Sequence, residues 1–233
     1  MERRDFVKLC AASAACTTVP TEAGAATLKA RLYRRAVLVD ERSEPLRPEA
    51  LRAGVNYVFD YPFASTPCFL LRLARPAPGG IDLKTESGGT YRWEGGAGPE
   101  RTLVAYSAIC AHKLTYPTRQ VSFIGYRDGP SPVAGNGKVI TCCSDRSVYD
   151  PSAGARVVAG PAPQPLATIL LEYDAGKREI AAVGTFGGEM FEPFFQKFGF
   201  RLQLEMGDRA RAPVDGRAVV RELATYSAQW AQC

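Results

Sequence analysis

Residues 102–112 read TLVAYSAICAH, and residues 138–150 read KVITCCSDRSVYD. Each starts as an apolar run of strand length and ends in side chains that bind metals. The first ends at Cys110 and His112; the second ends at Cys142, Cys143 and Asp145. His112 is the only histidine in the chain, so any site built here has one imidazole. Similar apolar runs recur on both sides. They cover Arg31–Asp40, Val55–Tyr61, Pro67–Leu73, Val121–Tyr126, Ala167–Tyr173 and Glu179–Val183, with Thr102–Ile109 and Lys138–Cys142 inside the two quoted stretches. Breakers separate them, notably Pro76–Gly80, Asp128–Gly137 and Asp174–Lys177. Many short strands with frequent turns predict an all-β fold, an antiparallel β-sandwich or barrel.

Composition agrees with this prediction. The chain has 233 residues, of which 46% are hydrophobic, so a sizeable core can be buried. Its 22 glycines and 17 prolines favour turns over long helices. The net charge of +5 is mild, and no Lys/Arg run interleaves with aromatics, which argues against a nucleic-acid partner. A Ser/His/Asp triad, a P-loop and a dinucleotide fingerprint are all absent from the sequence. With a single histidine, most histidine-based catalysis is excluded.

Both ends of the chain carry features outside this strand pattern. Arg3-Arg4-Asp5-Phe6-Val7-Lys8, the alanine-rich run after it and Ala23-Gly24-Ala25 predict a twin-arginine export signal over residues 1–25, and hence a periplasmic protein. No apolar run reaches the roughly 20 residues of a membrane span, so membrane association is expected only through a partner. Of the seven cysteines, Cys10 and Cys16 fall in this signal; the odd remainder of Cys68, Cys110, Cys142, Cys143 and Cys233 argues against a pure disulfide framework. Cys68 reads as a buried thiol, and Cys233 as free or paired outside the domain. Toward the end of the chain, Met190–Phe200 predicts a short helix with its phenylalanines near one face, followed by a strand at Arg201–Glu205 and a final segment, Arg217–Trp230. Ile81–Gly95 predicts a hairpin.

The two boxes resemble the ligand loops of the Rieske iron–sulfur family. Its pattern is Cys-x-His in one loop and Cys-x-x-His in the other, and in such a centre two thiolates hold one iron of a [2Fe–2S] cluster and two imidazoles the other. Cys110-Ala111-His112 matches the first loop; Cys142, Ser147, Tyr149 and Asp150 match the second; and Gly160-Pro161-Ala162-Pro163-Gln164-Pro165-Leu166 matches the family's cluster-covering proline loop. The resemblance spans about residues 29–184. VFDYPFASTPCFLLRL and VAYSAICAH look most like the small subunit of arsenite oxidase.

The resemblance implies a Rieske-type antiparallel β-sandwich or barrel over residues 26–184, with a small cluster-binding subdomain at about 108–166. Residues 185–233 would then be a C-terminal extension. It also implies a [2Fe–2S] cluster held by Cys110, His112, Cys142 and Asp145, where Asp145 stands at the family's second histidine. Cys143 ranks second as the fourth ligand. Ser147 and Tyr149 would tune the cluster through hydrogen bonds, and Gly160, Pro161 and Pro163 would cover it. The family's optional disulfide falls on Thr115 and Ser144, so that staple is absent.

His112 would be the exposed edge, framed by the proline loop and by Asp128–Gly137. The expected role is an electron-transfer subunit of an oxidoreductase rather than a stand-alone catalyst, with an oxidoreductase large subunit or a c-type cytochrome as redox partner. A clusterless docking subunit of a redox complex and a mononuclear metal protein are the alternatives.

Overall fold

The computed structural model describes residues 27–233; the export signal expected at residues 1–25 lies outside them. The backbone is β-rich. In chain order the first six strands are β1 (Arg31–Val39), β2 (Tyr57–Asp60), β3 (Pro67–Arg72), β4 (Ile81–Lys84), β5 (Thr90–Trp93) and β6 (Leu103–Ser107). The middle of the chain supplies β7 (Val121–Ser122), β8 (Ile124–Arg127), β9 (Val139–Cys142), β10 (Ser147–Asp150) and β11 (Arg156–Ala159). After β12 (Thr168–Asp174) and β13 (Glu179–Phe186) come helix α1 (Phe191–Met206), β14 (Gly216–Val219), β15 (Arg221–Glu222), the short helix α2 (Leu223–Tyr226) and β16 (Gln229–Trp230).

Eight strands form one sheet in the order β14-β1-β13-β12-β6-β3-β2-β15. β14 and β15 sit at opposite edges of it, yet only Val220 separates them in sequence. The sheet must therefore curl until its edges meet. Val220 marks the seam: its N–H donates to Val39 O at 2.8 Å while β14 runs parallel to β1 and β15 antiparallel to β2. The result is a nearly closed barrel, in keeping with the all-β expectation.

β2, β3 and β6 read as continuous apolar runs because both of their faces are buried. Phe59, Leu70 and Ala105 point into the barrel core with Leu38 and Ile180. Their neighbours Val58, Phe69, Leu71, Val104 and Tyr106 point the other way, into a second core. A four-stranded antiparallel sheet, β11-β10-β9-β8, supplies the far side of that core through Ile124, Ile140 and Tyr149. The hairpin expected at Ile81–Gly95 is β4–β5, which adds Leu83, Tyr91 and Trp93. Cys110 and Cys142 lie in the same core, at the junction of barrel and small sheet.

Helix α1 corrects two expectations. It runs for 16 residues, past Phe200, and absorbs the strand expected at Arg201–Glu205. The apparent alternation of Leu202 and Leu204 is misleading: Leu202 is buried while Leu204 is 73% exposed. Phe191, Phe194, Phe195 and Leu202 recur at helical spacing and pack on Ile109, Leu114 and Tyr116 in a third core. Residues 185–233 are thus woven into the molecule. They provide both edges of the barrel and a helix that rests on the segment carrying Cys110 and His112. Among the described residues no helix is long and apolar enough to cross a membrane.

Candidate metal centre

The first ligand loop leaves β6 and closes on itself within a few residues. Cys110 N–H donates to Thr115 O at 2.8 Å, and Leu114 N–H returns to Cys110 O at 2.9 Å. Leu114 takes a left-handed backbone, φ +61°, which is unfavourable for a leucine and is held here by burial in the third core under α1. Lys197 of α1 adds a clamp from outside, donating Nζ–H to Lys113 O at 2.8 Å.

The second loop is the turn between β9 and β10. The ladder pairs Cys142 with Ser147, and the residues between them form the turn. Arg146 N–H donates to Cys142 O at 2.7 Å with Arg146 at φ +63°. Asp145 fits the turn locally, because its Oδ1 accepts the Ser147 N–H two residues on, at 2.9 Å. That leaves Oδ2 for the site.

The two loops meet through Asp145. Its Oδ2 lies 3.3 Å from Cys110 Sγ and 3.0 Å from His112 Nδ1. The ligand atoms of Cys110, Cys142 and Asp145 all lie within 4.8 Å of one another. Tyr149 approaches from below: its hydroxyl is 3.3 Å from Cys110 Sγ and accepts the Ala111 N–H at 3.2 Å. Once the Cys110 sulfur is ionised it can only accept, and the phenol proton is then directed at it. The two thiols are buried and only 2% of the Asp145 side chain is exposed, whereas the His112 side chain is 38% exposed. The imidazole is therefore the edge of the site that faces solvent.

The electrostatics suit a metal. A hydrogen bond from the Cys142 thiol is the main reason the Cys110 thiol is lowered to about 7; burial opposes this and Tyr149 assists it. Cys142 is raised, chiefly because it donates that hydrogen bond, and also by burial. Burial alone would raise Asp145, but the Ser147 N–H and the neighbouring thiols hold its carboxyl below the usual value. Burial and the charge of Cys110 raise the Tyr149 phenol, so it stays a donor. The pocket thus presents a sulfur that ionises more readily than an ordinary thiol, an ionised carboxylate and an imidazole.

Ser147 Oγ is fully buried and has no hydrogen-bond partner among the described residues. It is a donor that lacks an acceptor, next to Asp145 and opposite Cys142. Gly160 lies against the same turn from the other side. At φ +86°, a Cβ on Gly160 would strike the Arg146 carbonyl and Ser147 Cα, so the start of the proline loop can approach only as glycine. Pro161 and Pro163 are exposed, while Ala162 is buried in the core that also holds Cys110 and Cys142.

Three expectations are corrected here. Cys143 does not serve as an alternative ligand: it is disulfide-bonded to Cys233. Successive side chains in a strand point to opposite faces, so Cys142 enters the core while Cys143 turns outward and its sulfur is already committed. Cys233 accordingly pairs with a residue inside the domain, rather than standing free or pairing outside it. Finally, Asp128–Gly137 does not frame the site. The β8–β9 ladder pairs Ile124 with Cys142 at one end and Arg127 with Val139 at the other, and the loop extends from the latter, where Gly54 meets the Asp128 side chain. Cys68 is a buried thiol away from the site, donating to Tyr61 O at 2.9 Å.

No family model matches the chain. Among solved structures, it is similar to the soluble domain of Rieske protein II (soxF) from Sulfolobus acidocaldarius, with 26% sequence identity and a TM-score of 0.46, over 66% of this chain and 78% of that one.

Proposed function

We propose that this chain is a Rieske-type electron-transfer protein whose cluster is held by Cys110, Cys142, His112 and Asp145. The mutual closeness of Cys110, Cys142 and Asp145 from two distant loops, with His112 joined to them through Asp145, is the observation that carries the proposal. A [2Fe–2S] cluster bound there would supply reversible one-electron transfer. The donor set fits it: two thiols, one imidazole and a carboxylate that suits ferric iron, a hard cation. The unpartnered Ser147 hydroxyl favours a cluster over a single ion, because a bridging sulfide is an acceptor that a lone metal lacks.

The chain's own contribution is to hold and tune. Tyr149 donates to Cys110 sulfur and raises the potential; the negative charge of Asp145 lowers it. Burial of both thiols keeps water from the sulfurs. His112, at the solvent edge between exposed Lys113 and the exposed Arg146 of the facing loop, gives an electron a short exit toward a partner with an acidic face. The twin-arginine pattern supports a periplasmic setting. The partner in this proposal is an oxidoreductase large subunit of the arsenite oxidase kind, or a c-type cytochrome.

One observation favours a mononuclear metal as the second reading. The ligand atoms of Cys110, Cys142 and Asp145 all lie within 4.8 Å of one another, a three-donor set that could hold one zinc-like ion without His112. Iron and acid-labile sulfide analysis of the purified protein decides. Equal amounts of iron and sulfide, with a reducible electron paramagnetic signal, are expected. One metal per chain with no sulfide would overturn the cluster in favour of the single ion. A metal-free, colourless protein purified anaerobically would leave a docking subunit.

A further inference from the structure

Residues 223–233 form a strap that ties the two ligand loops together. It first runs along the chain just after the first loop. Ser227 Oγ donates to Thr118 O at 2.6 Å, Ala228 N–H to Arg119 O at 2.9 Å, and Gln229 N–H to Gln120 O at 3.1 Å. β16 then pairs in parallel with β7, and Ala231 N–H donates to Ser122 O at 2.9 Å. Trp230 seats on β8 at Gly125, where a Cβ would come within 2.8 Å of the indole Nε1. The strap ends at Cys233, bonded to Cys143 in the second loop.

The second loop has little else on its outer side. Ser144 and Arg146 are exposed, and apart from its internal turn bonds the backbone there is held by Cys143 N–H donating to Phe123 O at 2.7 Å. Yet this loop carries both Cys142 and Asp145. We propose that the Cys143–Cys233 disulfide is a positioning device for the centre, and that its redox state governs metal retention. Closed, it holds Cys142 and Asp145 against Cys110 and His112. Open, it lets the turn swing outward and the metal leave. This rests on the preceding reading that a metal is held by those four residues. Opening by a dithiol or phosphine takes up two electrons and two protons and breaks one S–S bond. It leaves thiols on Cys143 and Cys233 and an oxidised reductant. The freed Cys143 thiol then lies one residue from a ligand.

Cobalt(II) alone is the probe, since thiolate-to-cobalt absorption reports the donor set directly. The full chain is loaded, challenged with a chelator, and the decay of the thiolate bands is followed. Cys233→Ser and the Cys143→Ser/Cys233→Ser pair, with folding checked by circular dichroism, are expected to release cobalt about tenfold faster than wild type, the low end for residues that orient metal ligands. Release at the wild-type rate, with only the melting temperature lowered, overturns the proposal: the disulfide is then structural alone. Should the variants not fold, the loaded wild type is treated with a phosphine. Cobalt loss that tracks the appearance of two thiols, and slow release restored on reoxidation, support the device; cobalt kept by the fully reduced, folded chain overturns it. A wild type that takes up no cobalt and is purified with neither iron nor sulfide overturns the four-residue centre itself, a failure distinct from that of the strap; one that carries iron and sulfide is given the same chelator challenge, with iron loss as the readout.

Discussion

Asp145 divides its carboxylate between two tasks: Oδ1 fastens the turn through Ser147 N–H, and Oδ2 faces Cys110 and His112. Asparagine can keep the first and lose the second, so Asp145→Asn is expected to fold normally and to hold metal about 10–100-fold more weakly, as measured by competition with a chelator. Asp145→Ala should do the same and also loosen the turn. Tyr149→Phe is expected to keep the metal but lower its reduction potential in a spectroscopic redox titration, because the hydrogen bond to Cys110 sulfur favours the more negative, reduced state. An unchanged potential would remove the tuning role. At this scale much of the site was legible. Cys-x-His and Cys-x-x-Asp are local spacings, and each box is one turn at the end of one strand. The Cys143–Cys233 pairing was not legible, because a contact between residues 90 apart has no local signature.

Elements act on the site through packing. Phe194 is completely buried between α1 and the first ligand loop, edge-on to Tyr116 at 4.9 Å. Phe194→Ala is expected to cost about 3–5 kcal/mol in urea unfolding and to speed hydrogen exchange at Cys110 and Leu114 N–H. The end of β2 offers a pH test. Asp60 lines a cavity of about 280 Å³ with Arg119, Glu205 and Tyr226. Burial pushes its carboxyl from 3.8 up to about 7, against the opposing pull of Arg119 and Arg221. A carboxyl raised on folding supports the fold fully at low pH and loses that support as pH climbs through about 7. Asp60→Asn is therefore expected to match wild type near pH 4 and to be more stable at pH 8 by about 4 kcal/mol in paired urea melts. Equal stability at both values would count against the burial. The strands that were legible are those buried on both faces, such as Pro67–Arg72, whose apolar run is unbroken. α1 was only half legible, because RLQLE fits a strand alternation as well as a helix face until the third core is known.

Across the whole molecule, residues 185–233 cannot be separated from the barrel. A chain ending after residue 211 loses β14 and β15, which are both edges of the eight-stranded sheet. It is expected to unfold without a cooperative transition in calorimetry, while the full chain melts in one step. A sharp melt of the truncated chain would show that the barrel stands without its seam. The seam was not legible: β14 and β15 are four and two residues long, and what defines them is the pairing with β1 and β2. The same seam has a consequence for biosynthesis. The pieces that shut the cylinder are translated after every other strand of its wall, so a chain emerging from the ribosome carries two raw borders until the last moment. Neighbouring nascent chains on one messenger offer each other matching borders, so crowded translation should favour tangled pairs over correctly sealed monomers.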